Sequence, residues 1–238
     1  MPKPPNGSSS NGTSNGHRHG AQDVTDNGTP VGPKHLLYVA DPMCSWCYGF
    51  APVIDALADH FGERLPINLL MGGLRAGNTK PMTDADKKAI SGHWKKVAAS
   101  TGQPFDFGLF DREGWIYDTE PACRAVVTMR LLNPRLALGY KGRVQTAFYA
   151  ENRDTTKEAV LADIAGEAGV DREIFFAEMI SPEAKNATMR DFLTAQESGI
   201  RGFPTLLAGD GTGHYLTITN GYRPIDGLPE ALEKWLDA

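Results

Sequence analysis

Cys44 and Cys47, with Ser45 and Trp46 between them, are the side chains whose type and spacing most directly suggest chemistry. Two thiols this close can bond to each other, so the pair can give two electrons to a disulfide or take two from a dithiol. They follow a short apolar segment and precede a helical pattern, which places them where a helix begins. Helix N-termini present unpaired N–H groups and the positive end of the macrodipole, and a thiolate there is stabilised. Cys44, the more N-terminal sulfur, is therefore expected to be the more exposed and more acidic nucleophile. Cys47, one turn further in, is the expected resolving thiol, placed to attack a mixed disulfide on Cys44.

Other uses of a close cysteine pair stay open on the residues alone. A tetrahedral zinc site wants four ligands, and beyond the pair only Cys123 and the scattered His60, His93 and His214 remain, in no ligand spacing. Copper(I) chaperones set a methionine apart from the first cysteine, whereas Met43 directly abuts Cys44. Two inert core thiols are the remaining possibility, although Asp41-Pro42 before the pair and Ser45 within it read as a surface turn. No metal site is expected. Cys123, alone on an apolar helical face, reads as a small buried hydrophobe.

The elements that must position the pair follow from periodicity and breakers. His35–Ala40 is apolar and rich in strand formers, and Asp41-Pro42 ends it. After the cysteines a helix runs through Ile54, Leu57 and Phe61 to Gly62, with Pro52 expected to kink it. Leu65–Met71 reads as a second buried strand, broken by Gly72-Gly73, which completes a βαβ unit. From Pro81 to Ser198 the period is helical: about five helices, one capped by Thr83, another by Thr119 with Pro121 in its first turn, and the last by Ser181 beside Pro182. Trp94, Phe148, Phe175 and Phe192 fall on apolar helical positions and read as core. Strands return at Thr205–Ala208 and His214–Thr219, and Leu228–Leu236 closes the chain as a helix.

Composition bounds the rest. The 238 residues carry 24 Lys+Arg against 29 Asp+Glu, a formal charge of −5, with 41% hydrophobic residues. That is ordinary globular composition. An acidic balance argues against sequence-independent nucleic-acid binding, which needs a cationic face. No segment approaches the roughly 20 apolar residues a bilayer span requires, so no membrane partner is expected. Residues 1–33 are almost without apolar side chains and read as a disordered tail, the His17-Arg18-His19 triplet included. Lys3 could open a signal peptide, but polar residues follow where an apolar stretch should stand. Sparse cysteines and the lack of a secretion signal point to a reducing, cytoplasmic location.

Tyr38-Val39-Ala40-Asp41-Pro42-Met43-Cys44-Ser45-Trp46-Cys47-Tyr48-Gly49-Phe50 resembles the active-site segment of the DsbA-like thioredoxin-fold oxidoreductases, in particular their FrnE-type branch. Gly202-Phe203-Pro204-Thr205-Leu206 resembles the family's second signature, the cis-proline loop entering the third strand. The resemblance implies an α/β, thioredoxin-like fold (βαβ…ββα) with an all-helical insertion between the second and third strands. The thioredoxin-like domain would be 34–77 with 199–238, and the inserted helical domain 78–198. It further implies a cis Pro204 beside Cys44, with Phe203 offering backbone groups to an extended substrate.

Met43, Trp46 and Phe203 are then expected to form an apolar lip for a peptide or hydrophobic small molecule, unless Trp46 packs against the insertion instead. The expected function is a thiol–disulfide oxidoreductase acting on a disulfide-containing protein or small molecule. It needs no bound cofactor, and glutathione is a candidate redox partner. Ser45-Trp46 replaces the Pro-His of strong oxidants, so a less acidic Cys44 and a less oxidising disulfide are expected. The alternatives are a glutathione-dependent isomerase or transferase of the kappa-class or 2-hydroxychromene-2-carboxylate isomerase type, or a non-catalytic peptide-binding chaperone module.

Overall fold

The computed structural model describes residues 32–238. Strand β1 (His35–Ala40) alternates its side chains between two apolar faces, as a central strand must. It pairs in parallel with β2 (Ile67–Met71), in the register Leu36↔Ile67 to Ala40↔Met71. On its other side it runs antiparallel to β3 (Thr205–Gly209), which in turn pairs antiparallel with β4 (Tyr215–Asn220). The sheet order is β2-β1-β3-β4. A parallel β1–β2 pair needs a crossover, and the segment carrying the cysteines supplies it.

That crossover is two helices, α1 (Ser45–Gly49) and α2 (Ala51–Phe61). The single helix expected around Pro52 breaks at Phe50, and Pro52 falls in the first turn of α2. A proline is tolerated there because the N–H it lacks would have no helical acceptor. Phe50 N–H still reaches Trp46 O and Ile54 N–H reaches Phe50 O, so the backbone pairing continues across the break.

Six helices separate β2 from β3: α3 (Asp84–Thr101), α4 (Glu120–Leu132), α5 (Ala137–Tyr149), α6 (Glu158–Glu167), α7 (Arg172–Met179) and α8 (Pro182–Glu197). The expectation of about five was one short. Thr83 and Asp86 cap α3 reciprocally, and Ser181 Oγ accepts from Ala184 N–H at the start of α8. Thr119 does not cap α4 with its side chain; its hydroxyl instead accepts from Arg75 N–H at 3.1 Å, across to the loop after β2. A final helix, α9 (Leu228–Leu236), packs Leu228 and Leu232 into the core.

One apolar core runs from the sheet face of Leu36, Tyr38 and Leu206 into the helices at Trp94, Phe148 and Phe175. Phe192 is only half-buried, with its ring beneath Gly73. The opposite sheet face packs Val39 and Leu70 against Ala195 of α8. Polar ties reinforce that contact: Asp191 of α8 holds Arg130 of α4 at 2.8 Å and accepts Met71 N–H at 2.9 Å. The tail expected to be disordered lies outside the described residues except for Gly32 and Pro33. Gly32 N–H donates to Gly211 O at 2.9 Å. Among the described residues no helix is long and apolar enough to cross a membrane.

Candidate active site

Strand β1 delivers Asp41 to its own C-terminal end, where its carboxylate organises the cysteine turn. The side chain is completely buried, so the turn read as a surface turn lies inside the fold. The carboxylate accepts Met43 N–H at 2.7 Å on one oxygen and Leu74 N–H at 2.7 Å on the other. Cys123 Sγ–H points at the second oxygen from 3.4 Å. Burial raises the Asp41 carboxyl above its usual range, opposed by these donors and the Thr119 hydroxyl. One side chain therefore braces the cysteine turn, the loop after β2 and helix α4. Cys123 is fully buried, as expected, and burial and the neighbouring Asp41 push its thiol up.

Cys44 occupies the N-cap of α1 with extended backbone, and its carbonyl accepts Tyr48 N–H at 3.0 Å. Both thiols are free. Cys44 is 6% exposed and Cys47 fully buried, the order expected from their positions. The Cys44 thiol is pulled below its ordinary value, first by the hydrogen bond from the Cys47 side chain and also by the N–H groups of Cys47 and Trp46; burial and Asp41 oppose this. Cys47 is pushed well up, mainly by burial and then by Cys44. One sulfur of the pair is held ready to ionise and the other is held protonated.

The second signature stands across from this pair. Cys44 Sγ–H faces Phe203 O at 3.7 Å, and the Phe203–Pro204 peptide bond is cis. Pro204 is buried, and its carbonyl accepts Gly221 N–H at 2.7 Å, which anchors the loop to the end of β4. The Phe203 ring lies directly over Gly72, where a Cβ would meet it at 2.0 Å. That close approach requires glycine at 72, the start of the turn after β2. Beside Phe203 opens a groove of about 470 Å³ lined by Gly72, Gly73, Phe192, Ala195 and Ile200.

The expected lip is rebuilt. Met43 is fully buried, because its N–H is tied to Asp41 and its carbonyl accepts the Tyr117 hydroxyl, so it offers no surface to a substrate. Trp46 is half-buried and packs on Tyr222, with ring centroids 5.7 Å apart. Trp46, Tyr222 and Phe203 are half-buried aromatic side chains near the pair.

Lys141 carries no signal in the sequence. It projects from α5 into the core at 1% exposure, its Nζ 4.8 Å from the Tyr38 ring centroid and donating to Gln145 Oε1 at 2.9 Å. Burial lowers its ammonium to about 8, partly offset by attraction to Cys47, Asp55 and Cys44. In sequence Lys141 and Gln145 are merely an i, i+4 polar pair beside the apolar stripe Tyr140, Val144 and Phe148, and nothing local marks them as buried. Among the described residues no three His, Cys, Asp or Glu side chains gather in a metal-binding cluster.

A strand-delivered Cys-x-x-Cys at a helix start, facing a proline loop in a β2-β1-β3-β4 sheet, defines a thioredoxin-fold disulfide site. Residues 36–233 match the model of the DSBA-like thioredoxin domain, and the chain belongs to that family. Among solved structures it is similar to a candidate protein disulfide isomerase from Nitrosomonas europaea, at 38% identity and TM-score 0.81, covering 87% of this chain and 98% of that one. It is also similar to the cytosolic disulfide reductase DsbM from Pseudomonas aeruginosa, at 26% identity and TM-score 0.71, covering 85% of this chain and 98% of that one. Curated relatives include the ClpXP adapter protein SpxH of Halalkalibacterium halodurans, 23% identical over 86% of this chain and 73% of its own length. The SpxH of Bacillus subtilis is 25% identical, over 75% of this chain and 59% of its own length.

Proposed function

We propose that this chain is a cytoplasmic thiol–disulfide oxidoreductase of the FrnE-type branch, acting as a reductase or isomerase. The Cys44 thiolate attacks a disulfide of a protein or small molecule, forming a mixed disulfide and expelling one substrate thiolate. Cys47 then attacks Cys44 Sγ, the second substrate thiol leaves, and the pair is left as a disulfide. The substrate has gained two electrons and the pair has lost them. Two molecules of glutathione return the pair to the dithiol, with oxidised glutathione as product. Residues 34–77 with 199–238 would carry this exchange, and the helices of 78–198 would wall it from behind. Phe203 and the cis Pro204 would hold an extended substrate, with Trp46 on the rim.

The observation that carries the reading is the asymmetry of the two thiols: Cys44 lowered, slightly exposed and facing Phe203 O, Cys47 raised and sealed. DsbM, described as a cytosolic disulfide reductase, supports the location and the reductive direction. Two cysteines support exchange over a glutathione-dependent isomerase, which would need a single nucleophile. The test is insulin reduction with glutathione as electron donor. Wild-type protein should accelerate it and Cys44→Ala should not; equal turnover by the variant overturns the assignment.

A second reading has its own support. The curated relatives are adapter proteins, and Trp46, Tyr222 and Phe203 supply aromatic anchors of the kind that dominate protein interfaces. On this reading the chain binds a client without turnover. Suppression of client aggregation by a Cys44→Ala/Cys47→Ala double variant, at the wild-type level and without exchange activity, would favour it.

A further inference from the structure

Resolution poses a problem that the two cysteines do not solve between them. Cys47 must lose a proton to attack Cys44, yet it is fully buried and its thiol is pushed well up. Solvent does not reach it. A base or a positive charge inside the fold would remove the difficulty, and α5, which packs against α1, brings one.

Lys141 Nζ lies over the face of Tyr38, and the hydroxyl of that same ring donates to Cys47 O at 3.5 Å. One buried side chain of β1 thus contacts the amine with its ring face and the Cys47 backbone with its hydroxyl. Lys141 has three donors, and Gln145 Oε1 takes one of them. Gln145 Nε2 is buried and has no partner among the described residues. A buried amine beside an unpaired amide donor is a polar pocket in an otherwise apolar core, and such pockets are retained at functional sites. The charged and titratable groups that face Lys141 are Cys44 and Cys47 at α1, Asp55 on α2, and Tyr38 on β1.

We propose that Lys141 is the proton acceptor and counter-charge that lets Cys47 ionise when it resolves the mixed disulfide on Cys44. The inference rests on the exchange reading above. In the dithiol state the Cys44 thiolate helps to hold Lys141 protonated. Once Cys44 is consumed in the mixed disulfide that attraction is gone, and burial favours the neutral amine. The proton then passes from Cys47–SH to Lys141–NH2, giving the thiolate and the ammonium. The thiolate bonds to Cys44 Sγ, and the substrate sulfur leaves as a thiolate that water protonates. During re-reduction a glutathione thiolate attacks Cys44, Cys47 leaves as a thiolate, and Lys141–NH3⁺ returns the proton. Lys141 exchanges its proton with Cys47 and does not touch substrate.

Reaction of the full chain with dithiobis(nitrobenzoate), followed by stopped flow, separates the steps. The first nitrothiobenzoate is released when Cys44 attacks and the second when Cys47 resolves. Wild-type resolution should rise with pH and level off no higher than about 8, since the attraction of the Cys44 thiolate is gone in the mixed disulfide. In Lys141→Met the first release should stay within about twofold, while the second slows about tenfold or more at pH 7 and levels off above pH 9, since each unit of thiol pKa is about a tenfold change in thiolate. Lys141→Arg keeps the positive charge but cannot accept a proton, so it should recover only part of the lost second-phase rate. Coincident second-phase profiles for wild type and Lys141→Met overturn the proposal. So do equal slowing of both phases and a Lys141→Arg profile that matches wild type, since arginine takes up no proton. If Lys141→Met fails to fold, Lys141→Gln is judged by the same criteria. Absence of the first release in wild type would instead refute the exchange reading itself.

Discussion

A lysine held in a core is a stability defect that a mutation can remove, and here the structure sets the size of the defect. The ammonium of Lys141 falls from 10.5 to about 8 through burial, equivalent to about 3 kcal/mol at about 1.4 kcal/mol per pKa unit. Methionine has similar length and carries no charge. Losing the hydrogen bond to Gln145 and the contact with the Tyr38 face removes about 1 kcal/mol of that gain. Lys141→Met should therefore be more stable than wild type by about 2 kcal/mol at pH 7. The sign with pH is fixed by linkage. Between about 8 and 10.5 the folded chain holds fewer protons at this position than the unfolded chain, so wild-type stability climbs across that window. The advantage of the variant is full below pH 8 and is gone by 10.5. Urea unfolding of the reduced proteins, followed by far-UV circular dichroism at pH 7, 9 and 10, measures the gap directly. A variant less stable than wild type at pH 7, or a gap that does not change from pH 7 to 10, refutes the reasoning.

Four other outcomes are expected. Iodoacetamide should alkylate Cys44 with a pH midpoint below the ordinary 9.0 of a thiol, and Cys44→Ser should remove that fast phase while the buried Cys47 and Cys123 stay slow; peptide mass mapping against time reads this. In thermal melts Gly72→Ala should cost about 1–3 kcal/mol, and it should slow insulin reduction, because its Cβ collides with the Phe203 ring. Gly92→Ala, on open helix surface in α3, should be neutral or stabilising by up to about 1 kcal/mol in the same melts. Asp191→Ala should cost about 3 kcal/mol in urea unfolding, since it strands the half-buried Arg130 and leaves Met71 N–H without its acceptor.

Much of this molecule is written in local pattern. Breakers and caps such as Asp41-Pro42, Gly72-Gly73, Thr83 and Ser181-Pro182 act within a few residues, so element order and most boundaries could be read directly. The spacing of Cys44 and Cys47 and the run Gly202–Leu206 are local too, and each predicts a position in the fold without knowledge of the rest. What periodicity could not decide is which side chains meet across long sequence separations. Asp41 reads as a turn residue until Leu74 and Cys123 close over it. Met43 reads as a surface anchor until Tyr117 caps its carbonyl. Trp46 finds Tyr222 only because β4 ends beside α1. Lys141 is the clearest case: on an isolated helix its amine would sit in water at its ordinary value, and only the packing of α5 against α1 and β1 strips that water away. Desolvation depends on what the fold puts around a group, so it is the property that the tertiary structure alone could assign.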